Sequence, residues 1–579
     1  MRCCLLGLLA SCTLVLAASP IPPERCMDWS VAGVPGGIPH RTQIFVNVAT
    51  TDNPAYRCAA DGTADCSPAL QRALNDCPAE QVVYLPKGIY RLDGRVRDAH
   101  RGHVTLRGDG PGATILKSSV KEGNAPLCFG DSDWPRPTKG EAITAGATRG
   151  STAVTVADTS RVNVGKLVRI DPVNPPWVHN LNGENDHPTM SFTFKVVAKT
   201  LTSVTLTPPL PFDLSAMSPK LVPYSPLLIE GIGIEDLSVD LDGTRTPAAF
   251  VETAWGCWFT HVEIVNSGSR QLLLYTFCAG EISGCFTHGT RSGGPNHEGI
   301  DFFIDSCWNL VQDNIVVNGG FPGIILGDSK GGCQGNVIAY NYGSSVNSGG
   351  PDTTGADISF SHGSHNMLNL AEGNVVTMIN ADGYYGSSSH NTLFRNCIKI
   401  THPTATDGLR GVALGHFNTY YNVVGNVLGT PDFPGAPHGR YDIETPSYRN
   451  GTHLIYQLGY PNLGNTFHDG TRLAPASPPD YRGQPFTLPK AQALDLNVKA
   501  TLLRWGNFDY ATHTTRWESS EVPGDVPVPP DHDLPASLYL RAKPEWWGDL
   551  PWPPIGPDLS PMVSAIPAQV RFERDSAGR

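Results

Sequence analysis

Three observations predict an all-β chain built as a parallel β-helix, a solenoid whose turns stack on one another. Between Ile229 and Thr430 one short phrase recurs, a marker residue followed by a core-type residue: Asp236-Leu237, His261-Val262, Gly284-Cys285, Asn314-Ile315, Asn336-Val337, Asn374-Val375, Asn396-Cys397 and Asn426-Val427. Successive markers lie 25, 23, 30, 22, 38, 22 and 30 residues apart, the spacing of a solenoid in which certain turns carry inserted loops. The residues after the markers are all apolar and predict one column along the whole stack. The segments between are short, β-branched and punctuated by Gly, Asn and Ser, which favours strands over helices.

The chain opens with Met1-Arg2 and the apolar run Cys3 to Ala18, ending in Val15-Leu16-Ala17, the pattern of a cleaved secretory signal over residues 1–18. Leu9-Ala10-Ser11-Cys12 also offers a lipoprotein box, the weaker alternative because apolar residues continue beyond Cys12. No later run reaches the ~18 apolar residues of a membrane helix, so a soluble, exported protein without a transmembrane segment is expected. Of 14 cysteines, Cys3, Cys4 and Cys12 leave with the signal. The odd remainder leaves at least one unpaired thiol in an oxidising compartment, and Cys26, Cys58, Cys66, Cys77 and Cys128 are the candidates for one or two disulfides. Cys285 and Cys397 sit in the apolar column and read as buried small hydrophobes. Lys and Arg number 42 against 54 Asp and Glu, a net charge of −12 without basic runs, which argues against nucleic acid as a partner.

After a leader over residues 19–56, residues 57–140 predict a capping helix and the first coils. Ser67 reads as an N-cap with Pro68 at the first helical position, and Leu70, Ala73, Leu74 and Cys77 fall on one face. Such a helix closes the open end of a β-helix, which otherwise exposes unpaired strand edges. Strands follow at Val82-Leu85, Ile89-Leu92, Val104-Leu106 and Thr114-Leu116. Residues 141–226 break the coil pattern: AVTV, KLVRI, FTFKVVAK and SVTLT predict a small inserted β subdomain. Its internal loop holds Trp177, His179, Glu184, Asp186 and His187. The main coil stack spans 227–430. Residues 431–579 form a Pro-rich segment with Trp505, Trp517, Trp546, Trp547 and Trp552, too aromatic for a disordered tail. It is expected to pack along the solenoid and cover its far end.

The phrases DGTADCSPALQRAL, VVYLPKGIYRL and HVTLRGDGPGATIL resemble the opening of pectate-lyase-like right-handed parallel β-helix proteins, the group with rhamnogalacturonase-like and epimerase-like domains. The resemblance implies a right-handed parallel β-helix and a polysaccharide substrate, while leaving lyase, hydrolase, epimerase and binding roles open.

Period-2 alternation around Gly299-Ile300-Asp301-Phe302 and Gly355-Ala356-Asp357-Ile358 points Asp301 and Asp357 outward on one face, two coils or roughly 10 Å apart. Around them fall His297, Glu298, Asp305, Lys330, His362, His365, Asp382, Tyr385, Arg410 and His416. Glycoside hydrolysis needs an acid and a second carboxylate, which Asp301 with Glu298 or Asp357 would supply. β-Elimination from a uronate needs a base and neutralisation of the carboxylate. Arg410, Lys330, His362 and Tyr385 are candidates for those roles, with Ca²⁺ held by the carboxylates if the protein is a lyase. His297, Lys330, Tyr385 and His416 are the expected substrate contacts. Asn296 to Asp301 and Ser306 to Val311 are similar to the polygalacturonase phrase N-T-D-G-I-D…S-C-x-N-V, with Glu298 at the place of its first catalytic Asp. The G-D-D expected near Gly320-Phe321-Pro322, the His of G-H-G near Gly355-Ala356-Asp357 and R-I-K are missing, so that family's mechanism does not carry over. The expectation is a secreted enzyme, lyase or hydrolase, acting on an extracellular acidic polysaccharide through Glu298, Asp301, Asp357, His362 and Arg410. A non-catalytic glycan-binding or structural solenoid is the alternative.

Overall fold

The computed structural model describes residues 19–577 except 99–101, 121–124, 131–138, 181–188, 225–226, 245, 291–297, 318–321, 345–355, 402–408, 444–451 and 461–493. The signal segment and His297 therefore lie outside the described residues, as do Glu184, Asp186 and His187.

Each coil contributes one strand to a twelve-stranded sheet and two to a 23-stranded sheet. In one coil these are Ile300–Ile304, Leu310–Gln312 and Ile315–Val317, and the next coil repeats them as Ile324–Gly331, Val337–Ala339 and Tyr342–Ser344. All six pair in parallel with their counterparts. The stack runs past Thr430: Leu503–Trp505 and Asn507–Asp509 pair with Asn422–Val424 and Val427–Leu428, so Trp505 belongs to a coil.

Corners set the repeat. Between the two strands of the broad sheet, each coil turns through a left-handed residue: Asp236, His261, Gly284, Asp313, Tyr340, Gly373, Arg395, Gly425 and Gly506 all have φ between 51° and 66°. Non-glycine residues resist this conformation, and at Gly373 the site is also crowded, since a Cβ would meet the Tyr340 ring at 2.2 Å. The next residue points into the corner. It is Leu237, Val262 and Cys285 in the early coils, all in the coil core, and then becomes a fully buried asparagine ladder of Asn314, Asn341, Asn374, Asn396, Asn426 and Asn507. Asn309, Asn336, Asn369 and Asn391 form a second ladder at another corner.

The recurring phrase of the sequence therefore merged two structures. Asn336 belongs to the second ladder, and the true step from Asn314 is 27 residues to Asn341 and then 33 to Asn374. The single apolar column is also two. Leu237, Val262 and Cys285 lie inside the coils, whereas Ile315, Val375, Cys397 and Val427 face outward. Burial pushes the Cys285 thiol up to about 12 and the Cys397 thiol up to about 11, as inert, packed side chains should be.

The capping helix is Ser67–Asp76, one residue earlier than expected, with Cys66 at its N-cap. Leu70, Ala73 and Leu74 join the core at the N-terminal end of the coils. The described cysteines form no disulfide, and Cys58 Sγ instead donates to the Cys66 carbonyl. The insertion is a closed six-stranded barrel that includes Glu141–Ala145 and Lys220–Pro223 beside the four expected strands. A buried ion cluster ties it to the coils: Arg169 donates to Asp171 at 2.6 Å and to Asp305 at 2.9 Å.

The C-terminal segment packs on the flank of the solenoid. Arg395 donates to Asp558 and to the Leu534, Pro535 and Ile555 carbonyls. Arg571 pairs with Asp313, and Trp547 is buried against Tyr340. This wall covers the outward column of Ile315, Val375, Cys397 and Val427. The far end is closed by the helix Leu496–Ala500 of the same 431–579 stretch, whose Val498 enters the coil core. Among the described residues no helix is long and apolar enough to cross a membrane.

Candidate functional site

In the twelve-stranded sheet, Ile300 and Phe302, Ile358 and Phe360, Ile379 and Ala381, and Val412 and Leu414 enter the core. The residues between them face out. Pairing aligns Asp301 with Ile325, Ser359, Asn380 and Ala413.

Asp357 is thus two positions away from the column of Asp301, at the place of Gly299 and Gly323. Its carboxyl lies against Gly343, where a Cβ would come within 2.7 Å of Asp357 Cγ. Thr377 donates to Asp357 Oδ2 from both its backbone N–H and its hydroxyl. Asp357 therefore fills space inside the coil, and the expectation that it faces outward beside Asp301 is overturned. The error came from aligning on the glycine, because the inserted loop shifts the register. Burial pushes this carboxyl up to about 6, against an ordinary 3.8. The folded state holds the proton more tightly than the unfolded chain, so this group's stabilisation is full below about pH 4 and is lost as pH rises through 6. The penalty at pH 8 is on the order of 3 kcal/mol. Asp357→Asn should raise the melting temperature at pH 8 and change little at pH 4. Equal effects at both pH values in thermal melts would contradict this assignment.

Asp301 faces out of the core but is fully buried, with Arg270 Nε donating at 2.6 Å. The same nitrogen reaches Glu298 at 3.2 Å. This pair holds a guanidinium where a Ca²⁺ site would need its carboxylates, and no cluster of three or more metal-ligating side chains occurs among the described residues. Arg410 is buried at the start of its strand, Arg410–Gly415. The side chain of Lys330 lies outside the described residues.

The structure brings a different group together at the far end of these strands. His362 Nδ1 lies 2.7 Å from Asp382 Oδ2, and the backbone N–H of Tyr384 donates to Asp382 Oδ1 at 2.9 Å. Tyr384 stacks on the imidazole at 5.0 Å and Tyr385 meets it edge-on at 4.9 Å. The His362 side chain keeps 26% of its surface exposed. On the strand of Asp382, Asn380 points to the same face, with its buried Oδ1 lacking a hydrogen-bond partner among the described residues. A carboxylate on Nδ1 orients the ring and makes Nε2 the basic nitrogen, the arrangement of a general base. Tyr384 and Asn380 escaped sequence reading because nothing local marks them, and Asp382 gains its role only through a neighbour one coil away.

His365 is buried between Ser387 and Ser389 hydroxyls, and burial holds it well below the usual histidine range. His416 is also buried, bonds the Tyr460 carbonyl and lines a separate cleft of about 500 Å³.

Several solved structures are similar to this chain over part of their length. The tailspike protein of Pseudomonas phage LKA1 is 12% identical over 69% of each chain, with a TM-score of 0.47. An alginate lyase from Paenibacillus is 11% identical over 68% of this chain and 95% of its own, with a TM-score of 0.37. The A-module of an Azotobacter vinelandii mannuronan C-5 epimerase is 12% identical over 69% and 93%, with a TM-score of 0.30. A search of curated protein sequences gives no match. Residues 45–148, the segment of capping helix and first coils, match the family model described as rhamnogalacturonase A/epimerase, pectate lyase-like. Over that segment the chain is similar to the rhamnogalacturonase A/epimerase, pectate lyase-like family, and the coils that follow it continue the same parallel β-helix architecture.

Proposed function

We propose that this protein is a polysaccharide lyase acting on a uronate-containing polymer, and the observation that carries the reading is the His362–Asp382 pair beside Tyr384 and Tyr385. The name of the matched family, a rhamnogalacturonase and an epimerase, supports saccharide chemistry in general. The geometry supports elimination in particular. Hydrolysis needs one carboxylic acid and one carboxylate reaching the same glycosidic bond, but Glu298 and Asp301 are buried on Arg270 and Asp357 is inside the coil.

In this mechanism His362 Nε2 removes the proton at C5 of the uronate, while Asp382 holds the ring and stabilises the imidazolium that forms. The Asn380 amide hydrogen-bonds the sugar carboxylate and spreads the charge that develops there. The C4–O bond breaks, its electrons leave with the glycosidic oxygen, and the Tyr385 hydroxyl protonates that oxygen. The products are a new reducing end and a C4–C5 double bond. Export follows from the leader over residues 1–18, and belongs to the same proposal.

The test is incubation of the mature protein with acidic and neutral polysaccharides, following ultraviolet absorbance of unsaturated uronate together with reducing ends. Both signals should rise together on an acidic polymer. Reducing ends without absorbance would replace the lyase reading with a hydrolase, and silence in both channels from folded protein would replace it with a glycan-binding solenoid.

A further inference from the structure

The cleft that holds His416 is formed where the inserted barrel meets the coils. Pro176, Trp177 and His179 of the barrel loop form one wall, and Phe417, Thr419 and Tyr420 at the coil corners form the other. Asp495, Asn497 and Thr501 of the closing helix complete it. Its volume of about 500 Å³ is in the range of small-ligand sites.

Three observations give it a chemical character. Trp177, His179 and Tyr420 are only half-buried and line the cleft, so aromatic surface is presented to an occupant. Their positions are fixed: His179 packs on Phe417 at 4.0 Å, and Trp177 lies 5.9 Å from Tyr420. Second, Thr419 is 93% buried (7% exposed) and its hydroxyl has no hydrogen-bond partner among the described residues. A buried hydroxyl left unpaired is costly, and a ligand hydroxyl in the cleft would satisfy it. Third, among the described residues the lining contains a carboxylate, Asp495, and no Lys or Arg. Asp495 accepts from the Phe417 and Asn497 backbone N–H groups, which fixes its charge in place.

We infer that this cleft is a glycosyl subsite selective for a neutral sugar unit. Aromatic faces pack on the apolar faces of sugar rings, Thr419 takes a ring hydroxyl, and the fixed carboxylate disfavours a uronate in this position. The cleft adjoins the proposed catalytic group: Gly386, next to Tyr385, pairs with Asn180, and the Ser387 N–H donates to the His179 carbonyl at 2.9 Å. One polymer crossing both places would carry a uronate at His362 and a neutral residue at Trp177. This inference rests on the lyase reading for the polymer, but the cleft itself can be tested separately.

The experiment is calorimetric titration of the full chain with cellohexaose, maltohexaose, mannohexaose, galactohexaose and hexagalacturonate. At least one neutral hexasaccharide should bind. Thr419→Val, which keeps shape, and Trp177→Leu should each weaken that binding at least tenfold, with unchanged circular dichroism and unchanged hexagalacturonate affinity. No neutral probe binding, or equal binding by wild type and both variants, would overturn the subsite. Hexagalacturonate binding that falls in both variants would overturn its selectivity. Turnover of an acidic polymer that persists while the subsite fails leaves the lyase reading standing. Neutral binding lost with Thr419→Val in a protein without lyase activity sinks the lyase reading alone.

Discussion

Replacing His362 by Ala should abolish elimination while leaving the fold and the affinity for acidic oligosaccharide in place. A positioned general base contributes about 10²- to 10⁴-fold to a rate, and without it no other basic side chain among the described residues is held against Asp382. The fall should therefore appear in kcat, with KM nearly constant, because proton removal is a transition-state interaction. Asp382→Asn should cost about 10²-fold by releasing the imidazole from its oriented tautomer. Arg270→Gln provides the contrast, since it strips the cation from buried Glu298 and Asp301. That change should lower stability far more than it changes any turnover by the surviving folded protein. A His362→Ala protein that retained more than about a tenth of wild-type turnover would remove the base assignment.

The second large effect is expected at Asn374, in the middle of the corner ladder. Its Oδ1 accepts from the backbone and side-chain N–H groups of Asn341 at 2.9 and 3.0 Å. Its Nδ2 donates to the Ile338 carbonyl at 2.8 Å and to Asn396 Oδ1 at 2.9 Å. Asn374→Ala strands two buried donors and a carbonyl at once, and each such group costs about 1–3 kcal/mol. The summed loss should be about 3–5 kcal/mol, beyond the usual range for a point mutation. Asn507 closes the ladder, and Asn507→Ala leaves one donor fewer stranded, because Asn426 Nδ2 keeps the Val424 carbonyl as an acceptor, so it should cost less than the mid-stack change. Denaturant titration of both variants decides this. If the two losses are equal, or if Asn374→Ala behaves like substitution of exposed Thr200, the ladder is not what holds the corners.

Much of this fold was legible because coil corners impose chemistry on individual residues. A left-handed position followed by an inward side chain left the Asp236, His261 and Gly284 phrases in the sequence. The ladder asparagines stood out for the same reason. Register was harder to read. Asn336 resembles Asn314 in its neighbours yet serves another corner, and only the backbone pairing separates them. Asp357 and Asp301 both stand two residues after a glycine in the sequence, but backbone pairing sets Asp357 two positions away from the column of Asp301. The site was less legible still. His362 and Asp382, the proposed base and its orienting carboxylate, lie 20 residues apart on adjacent coils, and solenoids make such neighbours out of any pair whose loops happen to match. In the aromatic C-terminal segment, indole groups that find a coil wall bury themselves, as Trp547 does against Tyr340.

The flanking cover also carries a consequence in time. Ile315, Val375, Cys397 and Val427 are synthesised long before residues 534–577, which shield them. Until Arg395 meets Asp558 and Arg571 meets Asp313, a nascent chain with finished coils displays an apolar wall to its surroundings. Residues 534–577 thus serve the solenoid as an internal cover, taking the place that a partner would otherwise have to fill along this apolar flank.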